Sequence, residues 1–530
     1  MPLDKDSPYY LHLLQNISLF ALSLIFLPID TIILLWSLIL RPSLAPHASR
    51  EALSKAQNSP TYKRRTILVT GVGMTKGLAL ARAFHLAGHR VIGADFEAHG
   101  ALVCGRVSRS LNAFYPMQKP TATSSAGYVS SLLSIIQREH VELWVSCSGV
   151  ASAVSDGEAK EAVEAQTACR AIQYDVATTS MLHEKHYFIE RTQALGLTVP
   201  ETHVVTSRAQ LRDIFADAKV KGIQYILKTV AMDDANRGNM TLLPFASDAE
   251  TEKYTTRINA SEANPWIAQQ FISGREYCTH ALVIRGQVKV FVASPSLELL
   301  MHYVALPSES PLSLAMLAFT RTFAAAHGET FTGHLSFDFL VESESERAMD
   351  PKHITLYPIE CNPRAHTAVA LFNDTPEMVG AYLSLLDRRR TGLGAGEMVS
   401  ETPIVPRAPK KYHWMGHDLV AFCIMPVLAA LRPFVTSTTD SNGNGTTNKI
   451  NTIASPESMG TDPKPQSITA GLSLFADYAM TWKDGTYEVW DPLPWWWLYH
   501  VYWPMQFAYA AVAGVRWSRV NVSTTKMFLC

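Results

Sequence analysis

Cysteine is scarce and scattered in this chain. Seven cysteines stand in 530 residues, at Cys104, Cys147, Cys169, Cys278, Cys361, Cys423 and Cys530, and no two form a Cys-x-x-Cys pair. An odd number at wide spacing argues against a disulfide framework or a zinc site and for a reducing compartment. An excess of one charge is also missing. The 46 Lys and Arg nearly balance the 47 Asp and Glu, leaving a net charge of −1. No global field then favours nucleic acid or an anionic membrane. No internal repeat is visible, and no convincing Ser/His/Asp or Cys/His set suggests a protein nucleophile. The Asn-x-Ser/Thr patterns, such as Asn16-Ile-Ser and Asn444-Gly-Thr, are short enough to arise by chance.

What the chain does have is length and apolar ends. At 530 residues it exceeds one core and predicts about two to four domains. Residues 17–40 are mostly Leu, Ile and Phe, long enough to cross a bilayer. Pro28 and Asp30 interrupt the middle, and an acid at the bilayer centre costs about 2.5–3.5 kcal/mol. A bent, shallow hairpin in one leaflet suits them better. Arg41, Arg50, Lys55, Lys63, Arg64 and Arg65 follow, as a cytosolic flank would. The apolar stretch is too long for a signal peptide. Near the other end, residues 419–431 are apolar, and Trp495, Trp496, Trp497, Tyr499, Tyr502, Trp503 and Tyr509 crowd residues 494–517. These rings suit a membrane boundary, or else an aromatic core. The reading is a monotopic attachment through both termini, with the catalytic domains facing the cytosol. Residues 436–466, rich in Ser, Thr, Asn and Gly, read as a disordered insertion.

The middle alternates strand and helix. Residues 66–70 (TILVT) read as a buried strand, 71–77 as a tight turn, 78–87 as a helix ending at Gly88, and 90–94 as a second strand closed by Asp95. A helix over 128–138 and a strand over 142–147 continue the pattern, which predicts a parallel sheet. Gly71, Gly73 and Asp95 match part of a dinucleotide fingerprint, but Lys76 replaces its third glycine.

Further on, chemistry accumulates. Leu335, Phe337, Phe339 and Val341 alternate with Ser336, Asp338 and Leu340, so Asp338 faces away from the apolar side. Glu360 and Asn362 share a face of the next strand, just before Pro363 and Arg364. A hairpin brings two carboxylates and an amide oxygen together, a donor set suited to Mg²⁺ that keeps waters and phosphate oxygens in its shell. Lys228 ends an apolar strand (225–228), and a lysine there can neutralise phosphates as a point charge. Lys185 begins an amphipathic helix that closes at Gly196. Residues 231–240 are polar and suit a lid or a surface loop. Gln269 to Ile272 form an extended connector whose backbone groups can read an adenine edge, and Glu276 can accept from ribose hydroxyls.

That order resembles the ATP-grasp ligases. The resemblance implies an α/β chain: an open parallel-sheet pre-ATP-grasp domain (61–175), a two-lobed α+β ATP-grasp domain (176–392), a hydrophobic N-terminal segment with basic linker (1–60) and a C-terminal region (393–530). It implies ATP and Mg²⁺, with Mn²⁺ as a substitute. Lys185 and Lys228 would contact the phosphates, Gln269 and Ile272 the adenine, and Glu276 the ribose. Asp338, Glu360 and Asn362 would bind the metal, and Arg364 would steady the transferred phosphoryl. Gln269 stands where a Glu is frequent, and it keeps the acceptor oxygen.

Residues 74–89 (MTKGLALARAFHLAGH), 148–152 (SGVAS), 269–279 (QQFISGREYCT) and 359–367 (IECNPRAHT) are similar to the mycosporine-glycine synthase branch of that superfamily. The similarity runs from about Arg65 to Leu386 and extends loosely to Trp490-Asp-Pro-Leu-Pro494. It implies that ATP phosphorylates the enolic oxygen of 4-deoxygadusol and that an amino acid, glycine by default, displaces the phosphate to give an oxo-mycosporine. Met74, Thr75, Lys76, Ser148 and Ser152 lie at strand carboxyl ends and are the expected substrate contacts, with His366 beside the intermediate. Two other classes remain: a carboxylate–amine ligase working through an acyl phosphate, and a membrane-bound NAD-binding reductase or non-catalytic module.

Overall fold

The computed structural model describes residues 3–4, 6–44, 47–58, 62–121, 123–147, 149, 152–229, 241–296, 301–387, 402–407, 411–428 and 467–530. Ser148, the expected lid at 231–240 and the insertion at 436–466 lie outside the described residues.

After the helices α1 (Tyr9–Leu44) and α2 (His47–Gln57), the first layered unit follows the alternation in the sequence. It comprises β1 (Thr66–Thr70), α3 (Thr75–Leu86), β2 (Arg90–Asp95), β3 (Ala113–Pro116), α4 (Ala126–Glu139), β4 (Leu143–Val145), α5 (Ala153–Gln166) and β5 (Arg170–Ile172). The five strands are parallel in the order β3-β2-β1-β4-β5. The chain winds outward in both directions from β1. The crevice between the carboxyl ends of β1 and β4 is therefore the topological switch point, where open α/β sheets bind ligands.

Helices α6 (Val176–His183) and α7 (Lys185–Ala194) lead to a small lobe of β6 (Thr202–Val205), α8 (Arg208–Lys221), β7 (Tyr225–Thr229), α9 (Asp248–Thr255) and β8 (Trp266–Gln270). Its strands run antiparallel in the order β6-β8-β7. Ser207 caps α8 with Gln210 in a reciprocal capping box, and Gly222 ends it in the left-handed region. A second lobe holds β9 (Gly274–Ile284), β10 (Gln287–Pro295), β11 (Tyr303–Val304), α10 (Pro311–Ala325), β12 (Gly333–Glu342) and β13 (Tyr357–Asn362). Four of these strands form an antiparallel sheet, β10-β9-β12-β13. The architecture is thus mixed α/β, with parallel and antiparallel sheets and apolar helices at both ends.

The alternation in β12 fixes the orientation of this sheet. Leu335, Phe337, Phe339 and Val341 are fully buried with Met316, Phe319 and Phe323 of α10. The Phe319 and Phe339 rings meet edge to face at 4.9 Å. Each buried phenylalanine contributes about 1.5–3 kcal/mol. A one-residue slip would turn this row outward, so the packing holds Asp338 on the opposite face.

The N-terminal hairpin expected around Pro28 does not form. One continuous helix, α1, runs through it. Pro28 removes one backbone donor, and contacts along the helix offset that loss. Asn16, Ser23, Asp30 and Ser37 recur every seven residues and face the C-terminal region. Asn16 Oδ1 accepts from Trp517 Nε1 (2.9 Å), Ser23 Oγ donates to the Tyr499 carbonyl (2.8 Å), Asp30 Oδ2 meets His500 Nε2 (2.8 Å) and Ser37 meets the Tyr487 hydroxyl (2.6 Å). The outer side carries exposed Leu24, Ile25, Ile29, Ile32, Leu35, Trp36 and Ile39. The C-terminal aromatics largely take the core alternative, because Trp495, Trp503 and Trp517 are buried.

Candidate active site

β12 and β13 place Asp338 directly opposite Glu360, and Ser336 opposite Asn362. On the other side of β12, Asp338 pairs with Cys278 and Leu340 with Glu276. Residues two apart on a strand share a face, so Glu276, Asp338, Glu360 and Asn362 occupy one side of the sheet. Asn362 Nδ2 donates to Asp338 Oδ2 at 3.1 Å, and Arg364 Nη2 donates to Asn362 Oδ1 at 2.9 Å. From the start of α7, Lys185 Nζ comes within 3.6 Å of Glu360 Oε2.

The small lobe supplies the facing wall. Lys228 Nζ donates to Gln269 Oε1 at 2.7 Å across the β7–β8 pair, and Gln269 is buried. Ile272 is buried just beyond β8. Glu276 accepts from Ser296 Oγ at 2.7 Å. Burial raises the Glu276 carboxyl above its ordinary range, Glu360 adds to the rise, and Lys228 opposes it. The electrostatics thus couple the two lobes across the space between them. Asp338 is pushed well up, first by burial and then by Glu360 and Glu276, with Arg364 and Lys185 opposing.

Three carboxyls gathered on one face of the sheet, Asp338 and Glu360 half-buried and Glu276 exposed, are what a divalent cation would neutralise. Among the described residues no cluster of three or more His, Cys, Asp or Glu is arranged to hold a metal. A cation here would rest on two acids, with the Asn362 amide oxygen available after a half-turn of that group. The rest of its shell would be left to water and phosphate oxygens, a fit to Mg²⁺.

The expected substrate contacts divide. Lys76 is fully buried, and burial followed by the nearby Arg364 charge brings its ammonium down to about 7. It therefore faces the same centre as Arg364. Thr75 is already engaged by the protein: its N–H donates to the Ser523 carbonyl at 2.9 Å, and its Oγ1 accepts from Trp414 Nε1 at 3.2 Å. Met74 is buried in the turn, its N–H on the Gly71 carbonyl. Ser152 Oγ donates to the Gly149 carbonyl in its own loop. His366 caps the short helix Thr367–Phe372 by accepting at Nδ1 from the Ala368 N–H. Burial holds its ring well below the ordinary imidazole range, which leaves it neutral. Nδ1 therefore has a structural partner within the chain.

The glycine turn is filled by the protein itself. Asp95 Oδ2 accepts from the Gly73 N–H at 2.6 Å, and Cys104 Sγ donates to the Gly73 carbonyl at 3.3 Å. A Cβ at Gly105 would meet the Val72 carbonyl oxygen at 2.2 Å, and one at Gly77 the Gly71 carbonyl oxygen at 2.3 Å. Chain packing accounts for these glycines, and Asp95 is used up locally. Both observations weigh against a bound dinucleotide. Sequence reasoning missed this closure because its parts, near 104 and 523, are remote from the turn.

No protein-family model matches the chain, and no curated protein matches it. Solved structures do. The L-amino acid ligase from Bacillus licheniformis superposes with 15% identity and a TM-score of 0.38, over 57% of this chain and 67% of that one. N5-carboxyaminoimidazole ribonucleotide synthetase from Thermus thermophilus gives 16% and 0.39, over 57% and 72%. Biotin carboxylase from Campylobacter jejuni, in its β,γ-ATP complex, gives 16% and 0.43, over 61% and 72%. Likeness at this level carries no argument about activity, which rests on the site itself.

Proposed function

We propose that this chain is an ATP-dependent ligase of the ATP-grasp type that activates an acceptor oxygen by phosphorylation and then joins the activated carbon to an amine. The observation that carries the proposal is the convergence of Lys185, Lys228, Glu276, Asp338, Glu360, Asn362 and Arg364 between two lobes. Asp338, Glu360 and Asn362 would hold Mg²⁺ (or Mn²⁺), which when bound neutralises phosphate charge. Lys228 and Lys185 supply cations to the phosphates, Gln269 and Ile272 border the base, and Glu276 offers an oxygen to the ribose. Arg364, bonded to Asn362 and felt electrostatically at both Asp338 and Lys76, would meet the charge that develops as the phosphoryl group moves.

The atoms balance simply. An acceptor oxyanion forms an O–P bond to the γ-phosphorus as the bond to ADP breaks. The amine nitrogen then bonds to the carbon bearing that oxygen, the C–O bond breaks, phosphate leaves, and the amine gives up a proton. The sequence motifs support 4-deoxygadusol and glycine as substrates. A carboxylate acceptor passing through an acyl phosphate would use the same side chains. Purified protein with ATP, Mg²⁺, glycine and each acceptor in turn tests both readings. ADP release with an absorbance shift supports the cyclohexenone, extra ADP release on adding L-alanine in place of the cyclohexenone supports the acyl phosphate, and no acceptor-dependent ADP release defeats both.

Lys76 gives this reading a pH signature. Its ammonium, lowered to about 7, loses its proton as pH rises through that value, and the attraction for an acceptor anion goes with it. We expect kcat/KM for the acceptor to fall above about pH 7 and Lys76→Arg to remove that limb, since this parameter reports the free enzyme. A flat profile in the native protein would remove Lys76 from the substrate site.

The proposal extends to location: α1 lies along one face of a bilayer. At about 1.5 Å per residue it is roughly 54 Å long, well beyond a hydrocarbon core of about 30 Å. Crossing the bilayer would tear its polar stripe from Trp517, Tyr499, His500 and Tyr487. Lying flat keeps those bonds and buries the outer apolar side. Wild-type protein should float with neutral phosphatidylcholine vesicles even in high salt. Ile25→Asp with Ile32→Asp, at positions 67% and 66% exposed, should stay behind. Flotation of the double variant would refute the flat docking.

A further inference from the structure

Beside the carboxylates, the same sheet face carries a second row of polar residues. Ala281 pairs with Leu335 and Asp338 with Cys278, which sets His280 across from Ser336, and Ser336 in turn faces Asn362. The row His280, Ser336, Asn362 therefore runs parallel to the row Cys278, Asp338, Glu360. Two residues along a strand separate them, about 7 Å.

Both His280 and Ser336 are fully buried. The tautomer of His280 follows from its bonding. Nδ1 accepts from the His366 N–H at 3.3 Å, so in the neutral ring the proton sits on Nε2. Among the described residues that Nε2–H meets no acceptor, and the Ser336 hydroxyl has no partner either. A buried polar group left unmet costs about 1–3 kcal/mol. A fold keeps two such groups side by side when something else satisfies them.

The surroundings indicate what that is. The Lys76 charge is felt at His280, His334 and His366, and the Arg364 charge at Lys76 and His366, so two cations border the row. Burial holds His280 neutral, at about 3, so it donates one hydrogen bond without adding a charge. Two acids are also felt at Lys76, Asp156 and Asp95, and burial raises them to about 7 and about 6.

We propose that His280 Nε2–H and Ser336 Oγ–H form the floor of the acceptor subsite and donate to an oxyanion, carboxylate or enolate, of the molecule that receives the phosphoryl group. This deepens the ligase reading and rests on it. The row lies one step along the sheet from Asp338 and Glu360, so an acceptor held there sits next to the phosphates. No motif in the sequence marks either residue.

The test uses full-length protein with ATP, Mg²⁺ and glycine, and with 4-deoxygadusol as the enolate and L-alanine as the carboxylate. Variants are Ser336→Ala, which is small enough to leave the packing intact, His280→Leu, which removes the donor, and His280→Gln, which restores one. For whichever acceptor turns over, Ser336→Ala and His280→Leu should raise the acceptor KM by about ten- to a hundredfold, the range for losing a hydrogen bond to a charged group. The KM for ATP and the affinity for Mg·ADP by calorimetry should stay unchanged, and His280→Gln should recover most of the loss. Should His280→Leu fail to fold, Ser336→Ala and His280→Gln decide alone. An unchanged acceptor KM in Ser336→Ala would mean that a buried water satisfies these groups, and would overturn the subsite. So would a parallel loss of Mg·ADP affinity. Failure of the wild type to release ADP with either acceptor would instead overturn the ligase reading, so the two failures are distinguishable.

Discussion

Replacing Glu360 with alanine should lower acceptor-dependent ADP release by about a hundredfold or more while the protein stays folded. Glu360 is one of two carboxylates facing each other across β12 and β13, and it draws Lys185 to within 3.6 Å. Its loss would remove half of the acid pair proposed to hold the cation and one of the charges that keep the Asp338 carboxyl raised. Removing a preorganised group that meets developing charge costs on the order of a hundred- to a thousandfold. The fold should barely respond, because relieving repulsion beside the half-buried Asp338 offsets the lost contact with Lys185, leaving a net change of about 0.5 kcal/mol or less. Lys228→Ala should act similarly on turnover through the phosphates. A coupled assay for ADP and a thermal melt on the same preparations check both halves. Near-native turnover in both variants would leave the proposed centre without a function.

How much of this was legible in the sequence depended on the range of the interactions. The alternation in 333–342 was enough to face Asp338 away from Phe337 and Phe339, because a strand's two sides are set by its own residues. The same held for the βαβ order of 66–95 and for the termination of α7 at Gly196. What failed depended on residues hundreds of positions away. Pro28 and Asp30 read as a break in an apolar span, yet Asp30 is met by His500 and the helix continues. Gly71, Gly73 and Asp95 read as part of a dinucleotide turn, yet Cys104 and Ser523 close it. His280 and Ser336 were missed for a related reason. The role proposed for them rests on partners absent among the described residues, and no local pattern records a missing partner.

Asp491→Ala should be the most destabilising single change outside the site, by about 3–5 kcal/mol. Asp491 is fully buried, and its Oδ2 accepts from Arg82 Nε at 2.8 Å and from Ser108 Oγ at 2.6 Å. Its Oδ1 accepts from the Arg109 N–H at 2.9 Å. Arg82, itself only 3% exposed, spends its other nitrogens on the carbonyls of Thr486 and Asp491, both at 2.8 Å. The pair staples the Trp490-Asp-Pro-Leu-Pro494 segment to α3, the helix that carries Lys76. Removing one partner strands a buried charge, and that penalty, more than the lost attraction, sets the size of the effect. Removing both partners should act in the opposite direction. Arg82→Leu combined with Asp491→Leu takes away both charges, so the double variant should be more stable than Asp491→Ala alone. Urea midpoints compared at constant slope measure both. A loss below about 1 kcal/mol in Asp491→Ala would mean that water reaches Arg82 and that the C-terminal segment is not fastened to the first sheet through this pair.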